Sequence, residues 1–516
     1  MRPLVGEVAT GTTTSPWRDK GGFAAMDTQR RGPHSVGTKR SAAGPLPTLL
    51  FLVLALGVVL LPFSCASDAR EATQGTATPT LVVFGPDDTP IPSPAFAVPP
   101  TATPSPTKPP TFTRTPSPVR PTATADTAAL DQYARQVLAR TANLRGLQPK
   151  TSVPLGYLNK DELRARLAKV VEKDVSAEDL AKEKALYVVL GYVDPAEDLL
   201  RLYLDLLSEQ VLGFYEFDTR EMKVVRANGR TALSTLDELT LAHEYVHALQ
   251  DQHFDIGARM KDLKGASERA LALQALAEGD AVLAMAAYGQ QYKTREELAQ
   301  VQEQAGAFDQ SRLDAAPLPI QAEMLFPYQQ GAIFVASLLR SGGWAAVDKA
   351  FADPPRTSEQ IMHPQKYLDG EDAERVALPD LGPALGPEWT RVGEDTLGEL
   401  GWSVYFVSRL DPGRARRGAD GWGGDSWAIY QRQDGRYAFA ALSTWDDADE
   451  AGEFLDALRE SEKLRSGVSA TLAEPARFAW SGRDSGYASL KGTQVLLVVA
   501  PDEATVQKVT ARFGGF

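Results

Sequence analysis

Cysteine is nearly absent from this chain: Cys65 is the only one among 516 residues. No intramolecular disulfide can therefore form. Basic residues are also outnumbered, since 54 Lys and Arg face 67 Asp and Glu and leave a net charge of −13. Because the sequence also lacks a basic stripe interleaved with aromatic residues, this balance argues against a nucleic-acid partner.

Motifs of several other enzyme classes are missing as well. The sequence contains no glycine-rich phosphate loop, no Ser-His-Asp signature and no internal repeat. Histidine is scarce, with 5 in the whole chain, yet it clusters in the stretch Leu241–Asp255, LAHEYVHALQDQHFD. Here His243, Glu244 and His247 follow the order H-E-x-x-H, which seldom arises by chance in so histidine-poor a chain.

The H-E-x-x-H spacing is the one that a zinc-binding helix requires. Residues four apart lie one above the other on a helix, so both imidazoles can point at a single ion. Glu244 then lies beside the metal and can act as a base. Zinc in a hydrolytic site takes about three protein ligands and keeps a fourth position for water. Upstream, Thr235 and Glu238 have the spacing of a capping box, which predicts that the helix starts with Thr235 as its N-cap.

The first 126 residues predict export and tethering. Residues 1–66 combine a polar, basic lead-in with an uncharged run, 46–63, that ends just before Cys65. Such a run is typical of a secretory signal or an uncleaved signal anchor, and the position of Cys65 resembles the lipidation site of a bacterial lipoprotein. Residues 67–126, rich in Pro, Thr and Ser, predict a disordered, semi-rigid stalk. We therefore expect an extracytoplasmic, cell-surface protein, anchored in the membrane through lipidated Cys65 or the signal anchor.

The rest of the chain predicts two folded parts and an α+β fold class. Residues 127–380 have helical periodicity apart from a β-hairpin over Gly213–Val225. Its second strand, Glu221–Val225, is predicted to be an edge strand beside a cleft, where an extended substrate could pair with it; the alternative is a hairpin with a structural role alone. Residues 385–516 follow a Pro/Gly-rich boundary and predict a smaller α+β domain with an accessory role. We expect a mainly helical catalytic domain with a small sheet, followed by that smaller domain.

The H-E-x-x-H stretch and the downstream segment Ala277–Ala281, AEGDA, together resemble the gluzincins, the thermolysin-like zinc metallopeptidases. This resemblance implies a zincin-like fold over residues 127–380. It also implies a zinc ion held by His243, His247 and Glu278, with Glu244 as the catalytic base. More narrowly, the chain is similar to largely uncharacterised bacterial surface proteins that share the motif and a lipoprotein-like start.

The third zinc ligand implied by the resemblance lies farther along the chain than in thermolysin. Glu278 follows His247 by 31 residues, so an insertion is needed, and Phe254–Ser267 is expected to supply it as a loop. Glu268 is the rival ligand. Glu278 is favoured because it lies in a nearly uncharged helix, where a carboxylate without a partner would be costly.

The surroundings of the histidines also depart from known patterns. Val282 occupies the position of the Asp that holds a ligand histidine in thermolysin, so Asp280 or Asp251 is the candidate replacement, unless both are ordinary solvated acids. Gln250 stands where the metzincin family has Gly, which excludes that family. His253 falls on another face of the helix and is interpreted as structural.

Two later residues are candidates for stabilising the oxyanion that forms during hydrolysis. Tyr328 supplies a phenol near a predicted helix start, and His363 is the last histidine of the chain. Zincins use a Tyr or His donor for this purpose. The alternative interpretation is a half-buried tyrosine for Tyr328 and a helix cap or turn for His363.

The expected function is an exported, membrane-tethered zinc metallopeptidase that acts on a peptide or protein substrate. Glu244 would assist the attack of a zinc-bound water on the peptide bond. A non-catalytic surface binding or scaffold protein that retains the same fold is the alternative. A zinc hydrolase acting on a non-peptide amide is a further one.

Overall fold

The structure is a computed structural model of the chain, and it describes residues 127–225, 232–306 and 310–516. The signal or anchor segment, Cys65 and the stalk of residues 67–126 lie outside the described residues. What the sequence predicts for those segments therefore stays a prediction.

The part of the chain up to residue 380 contributes most of the helices and one small sheet. In chain order its elements are α1 (Thr127–Arg145), β1 (Leu155–Leu158), α2 (Lys160–Asp174), α3 (Ala177–Val189), α4 (Leu199–Gln210), β2 (Gly213–Glu216), β3 (Glu221–Val225), α5 (Thr235–Phe254), α6 (Ile256–Asp262), α7 (Ser267–Tyr292), α8 (Arg295–Gly306), α9 (Ser311–Ala315), α10 (Leu318–Ala352), α11 (Ser358–Met362) and α12 (Pro364–Asp369). Helix α10 is broken at Gly342 and Gly343, whose backbone angles are not helical.

The remaining chain carries a larger sheet with a few helices, and residues 385–516 are called the C-terminal module below. Its elements, with the short helix that leads into it, are α13 (Gly382–Leu385), β4 (Trp389–Asp395), α14 (Gly398–Val407), α15 (Pro412–Ala419), β5 (Trp422–Arg432), β6 (Tyr437–Trp445), α16 (Ala448–Ser466), β7 (Leu472–Glu474), β8 (Arg477–Ser481), β9 (Ser485–Lys491), β10 (Gln494–Ala500) and α17 (Glu503–Thr510). The fold is α+β, which confirms the predicted class.

The hairpin predicted over residues 213–225 is present as β2 and β3, but β3 is not an edge strand. The sheet has the order β1-β3-β2, with β3 parallel to β1 and antiparallel to β2. The prediction of an edge strand at Glu221–Val225 is therefore wrong. The prediction is wrong because β1, from far upstream in the chain, pairs with β3. No local pattern in the hairpin indicates such a partner. The edge that faces α5 belongs to β2.

The seven strands of the C-terminal module form one antiparallel sheet with the order β4-β5-β6-β10-β9-β8-β7. The Asp434-Gly435 turn between β5 and β6 confirms the hairpin that this dipeptide predicts. Aromatic side chains of α14 and α16 cover one face of the sheet, including Trp402, Tyr405, Phe406 and Phe454. Apolar residues of α13 and α17 cover the other face.

The helical part and the C-terminal module share hydrophobic cores. Ala185 and Val189 of α3 lie in the core that covers the seven-stranded sheet. In the other direction, Leu400 and Val404 of α14 pack into a core with residues of α7 and α10. Each part therefore completes a core of the other.

Two helices begin at residues other than those predicted. The N-cap of α5 is Ser234, which forms a capping box with Asp237 one residue ahead of the predicted pair. Asp194 followed by Pro195 predicts an N-cap and the first residue of a helix, but α4 begins after the N-cap Asp198. Asp194 instead accepts hydrogen bonds within a turn, from the backbone N–H groups of residues 196 and 197. Polar residues with equivalent spacing compete for the cap, so the sequence predicts the helix more surely than its first residue.

Helix α7 is the one described helix that is long and apolar enough to cross a membrane, but 89% of its apolar window is buried inside the protein. The core helix of a folded protein meets the same criterion, so this is weak evidence for a membrane span. The burial instead identifies α7 as a central helix, packed between α5 and α10.

Candidate metal centre

Three predicted metal ligands meet in the interior of the helical part. His243 and His247 lie one turn apart on α5, and Glu278 faces them from α7. The two imidazole Nε2 atoms are 3.1 Å apart. The Glu278 Oε2 atom is 3.2 Å from Nε2 of His243 and 3.3 Å from Nε2 of His247. All three side chains are at least 98% buried, and their ligand atoms converge on one point that could hold a metal ion.

Glycine allows α7 to carry Glu278 into this position. Helices α7 and α10 approach so closely that a Cβ atom on Gly279 would lie 2.1 Å from the carbonyl oxygen of Gly331. A Cβ atom on Gly331 would in turn lie 2.1 Å from the carbonyl oxygen of Ala275. Real atoms cannot come so near, so both helices need glycine at the crossing. The crossing lies next to Glu278 and three residues from Tyr328.

The 31-residue spacing between His247 and Glu278 is filled by structure rather than by a plain loop. Helix α5 ends at Phe254, and Asp255 takes a left-handed conformation that turns the chain directly into α6. Asp251 stabilises this turn by accepting a hydrogen bond from the backbone N–H of Gly257. The expected loop over residues 254–267 is therefore partly helical.

Glu244 lies next to the three ligands and is completely buried. Neither of its carboxylate oxygens makes a hydrogen bond of normal geometry within the described residues, although the backbone N–H of Tyr215 on β2 helps to lower its pKa. Burial is the largest effect, and it raises the pKa of Glu244 to about 8 against the opposing charge of His247. A carboxyl group with such a pKa can both accept and return a proton near neutral pH.

The charges of the three predicted ligands depend on one another. Burial alone would raise the pKa of Glu278, but the two histidines outweigh it and lower that pKa to about 2. Burial would likewise lower the pKa of His247, but Glu278 raises it to about 9. The pKa of His243 is lowered, mainly by burial. Glu278 is thus held ionised, and in the absence of a metal the proton on His247 supplies the positive charge opposite it.

A network of hydrogen bonds among buried polar residues orients His247 through its Nδ1 atom. The His247 Nδ1 atom is 3.0 Å from Oε1 of Gln250, which orients the ring so that Nε2 faces Glu278. Gln250 Nε2 donates to Oδ2 of Asp280 and to the carbonyl oxygen of Ala277, both at 2.9 Å. Arg145 of α1 forms a buried ion pair with the other oxygen of Asp280. Asp280 therefore supports the histidine through an interposed amide, not by direct contact.

Tyr328 reaches the centre from α10. Its ring is 97% buried and stacks on His243, with 6.2 Å between ring centroids and 19° between planes. The predicted Tyr328 thus belongs to the site.

The structure does not bring His363 to this centre. Its Nε2 lies 2.9 Å from Oε1 of Glu399, in a separate cluster with Asp420. His363 is the last residue before α12, and Glu399 of the C-terminal module holds its ring there. The oxyanion role expected for His363 is therefore corrected to a contact between the two parts of the chain.

The other sequence candidates lie elsewhere too. Glu268 accepts hydrogen bonds from the backbone N–H and the hydroxyl of Ser358, so it is not the third ligand. His253 contacts the carbonyl oxygen of residue 148, in agreement with a structural role. Asp251 accepts a hydrogen bond from the hydroxyl of Tyr215 and stabilises the end of α5.

Two residues of the centre were not assigned a role from the sequence. Gln250 could have been found, because it follows His247 by three residues and so lies on the same face of the helix. Arg145 could not, since it comes from α1 and no local pattern links it to Asp280.

Comparison with known families supplies a match within the C-terminal module. The family described as "Domain of unknown function (DUF8575)" matches residues 387–510. No curated protein and no solved structure matches the chain. The matched residues include none of the residues of the metal centre.

Proposed function

We propose that this protein is a zinc-dependent metallopeptidase. One observation carries the proposal: two histidine nitrogens and a carboxylate oxygen converge at 3.1–3.3 Å from one another, with Glu244 beside them. A structural metal site would not need the extra buried carboxylate, which favours catalysis over a scaffold role.

The spacing and the chemistry of the donors suit zinc. Ligands at 2.0–2.1 Å from a tetrahedral zinc ion lie about 3.3 Å from one another, close to the separations found here. Two imidazoles and one carboxylate are a ligand set that catalytic zinc sites use, and they leave a fourth position open. Glu278 Oε1 is buried without a hydrogen-bond partner in the described residues, and a cation held here would give this oxygen a partner.

Each residue around the centre has a separate role in the proposed hydrolysis. A zinc ion bound here would supply Lewis-acid polarisation of the peptide carbonyl and would lower the pKa of water. Glu244 accepts the proton of the attacking water and passes it to the leaving amine. Tyr328 supplies the candidate hydroxyl donor for the developing oxyanion. Gln250 and Asp280 keep the His247 ring in the orientation that directs Nε2 toward the proposed metal position.

The edge of β2 is the proposed place for the substrate backbone. β2 ends the three-stranded sheet and lies against α5, where a Cβ atom on Gly213 would be 3.5 Å from Cγ of Glu244. An extended peptide that paired with this edge would run past the base. The substrate is therefore proposed to be an unfolded segment or a peptide.

Export and tethering through Cys65 or a signal anchor are proposed on the sequence alone.

The test is a comparison of the parent with Glu244→Gln on a peptide library. Gln keeps the shape of the side chain but cannot take the proton, so we expect zinc binding to persist while hydrolysis falls by about 100-fold or more. Glu303→Gln, at an exposed position of α8, is the matched control and should hydrolyse peptides as the parent does. Undiminished hydrolysis by Glu244→Gln would refute the mechanism.

A further inference from the structure

A second pocket lies where the helical part meets the C-terminal module. It is bounded by α3, the start of α7, the start of α10, and the chain from the end of β4 into α14, and it holds about 910 Å³ not filled by protein atoms, part of which is open solvent. Its walls are mostly apolar, with Leu186, Leu271, Leu400 and Val404 among them, and Tyr187 and Tyr192 add aromatic surface. None of the residues of the metal centre lines it.

The charges in this pocket do not balance. Five acidic side chains line it, and Lys182 is the one basic residue among the lining residues. Lys182 is already engaged, because it forms a largely buried ion pair with Asp395 and lies over the ring of Trp427. The four remaining acids are Asp179, Glu183, Glu268 and Glu323.

Neutral groups supply the hydrogen bonds that these four carboxyl groups accept. Glu183 and Glu323 take theirs from the hydroxyls of Tyr203 and Tyr187. Asp179 and Glu268 take theirs from serines and backbone N–H groups of Ser176 and Ser358. No lysine or arginine of the described residues forms an ion pair with any of the four, although the charge of Lys182 acts on Glu183 from a distance.

Several of the carboxylate oxygens have no partner at all. Oδ1 of Asp179, a residue that is 5% exposed, makes no hydrogen bond within the described residues. The same holds for Oε2 of Glu183 and Oε2 of Glu323. A buried polar atom without a partner is costly, so these three oxygens are acceptor atoms that a donor in the pocket could satisfy.

The pKa values of these acids also indicate that their charges are poorly compensated in the pocket. Burial raises the pKa of Glu183 to about 7 and the pKa of Glu323 to about 8. Burial also raises the pKa of Glu268 to about 8. A cation in the pocket would favour the ionised carboxylates and oppose these shifts.

The lining distinguishes between classes of ligand. An anion would meet a surplus of carboxylates. A metal ion would need several ligand atoms around one point, and none of the four acids belongs to a group of three with that spacing among the described residues. Apolar and aromatic walls with a few carboxylates are suited to an alkyl or aryl body that carries a positive charge.

We propose that this pocket binds a small organic cation, an amine or guanidinium group on an apolar body, with Glu183 and Glu323 pairing with the charge. The pocket and the metal centre share no residues, so this proposal does not depend on the proposed peptidase activity.

The first test compares ligands on the unchanged full chain, by calorimetry. n-Hexylammonium and n-hexanol have the same alkyl body and differ in charge, and we expect the ammonium to bind about tenfold more tightly or better, because ionic hydrogen bonds are stronger than neutral ones. Nα-acetyl-lysine amide and Nα-acetyl-norleucine amide form a second pair. Preference for the lysine compound would indicate that basic peptide side chains use the pocket, and preference confined to hexylammonium would indicate free amines.

The second test uses Glu183→Gln and Glu323→Gln. Each variant keeps the side-chain shape, and each should weaken hexylammonium binding by about tenfold while hexanol binding is unchanged. Glu178→Gln, at an exposed position of the same helix α3, is the matched control and should bind as the parent does. Equal binding of hexylammonium and hexanol by the parent, no saturable binding of either, or binding that both pocket variants leave unchanged would overturn the proposal.

Discussion

Gln250 distinguishes the candidate metal centre from the thermolysin pattern. A carboxylate contacts the ligand histidine directly in the thermolysin pattern, whereas here a neutral amide lies between His247 and Asp280. The amide oxygen can only accept a hydrogen bond, so it holds the proton on Nδ1 and directs Nε2 toward the position proposed for the metal. Because the amide is neutral, it orients the ring without adding a second negative charge beside Glu278.

Replacing Gln250 should therefore weaken metal binding while leaving the fold in place. In Gln250→Leu the size is similar, but the hydrogen bonds to His247 and Asp280 are lost. We expect zinc affinity to fall by about 10- to 100-fold, measured by competition with a chromogenic chelator. Gln290→Leu, at an exposed position of α7, is the control. Parent-like affinity in Gln250→Leu would show that the amide does not position the ring.

The three proposed zinc ligands and the proposed base could be predicted from the sequence because their signals are local. His243, Glu244 and His247 follow one helical spacing, and Glu278 is an acid in an apolar helix that needs a partner. The supporting residues depend on contacts between distant segments. Arg145 reaches Asp280 from a helix that begins the folded chain, and sequence spacing carries no trace of that contact.

At the scale of elements, the crossing of α7 over α10 decides where Glu278 lies. Gly279→Ala places a methyl group against the backbone of Gly331, so the helices must separate. We expect a loss of about 1–3 kcal/mol or more in the free energy of unfolding, together with weaker zinc binding, both measured on the same preparations.

The control for that variant is the same substitution where space is open. Gly452 lies inside α16, and a Cβ atom there would meet nothing within 4 Å. Gly452→Ala should therefore stabilise the protein by ~0.5–1 kcal/mol, as expected for Ala over Gly in a helix. If Gly279→Ala were tolerated equally well, the close crossing would be contradicted.

Elements were predictable where periodicity and turn chemistry are local, as in α5, the hairpin of β2 and β3, and the hairpin of β5 and β6. The pairing of β1 with β3 was not, because a parallel partner arrives from a distant part of the chain. That single pairing moved the free edge from β3 to β2. The proposed substrate-binding edge moved with it, closer to Glu244.

At the scale of the whole molecule, the shared cores predict that the two parts depend on each other. A fragment of residues 127–380 would leave the helices α3 and α7 without the aromatic and aliphatic residues that α14 and the large sheet contribute. We expect this fragment to unfold without a cooperative transition and to bind a hydrophobic dye, in contrast to the chain with its C-terminal module. A fragment that unfolded cooperatively and bound zinc as tightly as the full chain would contradict this dependence.

Stability should also fall as the pH rises through neutrality, because of the buried acids at the junction of the two parts. The pKa of Glu183 is about 7 and that of Glu323 about 8 in the folded chain, against 4.5 when exposed. Between these values the folded state binds more protons than the unfolded state. The stability that these two groups contribute is therefore fully present below pH 4.5 and is lost between about pH 4.5 and 8. Denaturant unfolding across this range should show a decline on the order of a few kcal/mol, and the Glu183→Gln/Glu323→Gln double variant should flatten it. An equal decline in the double variant would assign the effect to other groups.

The most direct test of the proposed metal centre is the zinc content of the full chain and of two variants, Glu278→Gln and Glu268→Gln, after dialysis against limiting free zinc. Both positions are buried glutamates of α7, but Glu278 alone contacts the two histidines. The proposed centre predicts about one zinc per chain in the parent and in Glu268→Gln, and a large loss of zinc in Glu278→Gln. Full zinc content in Glu278→Gln, or no zinc in the parent, would contradict it.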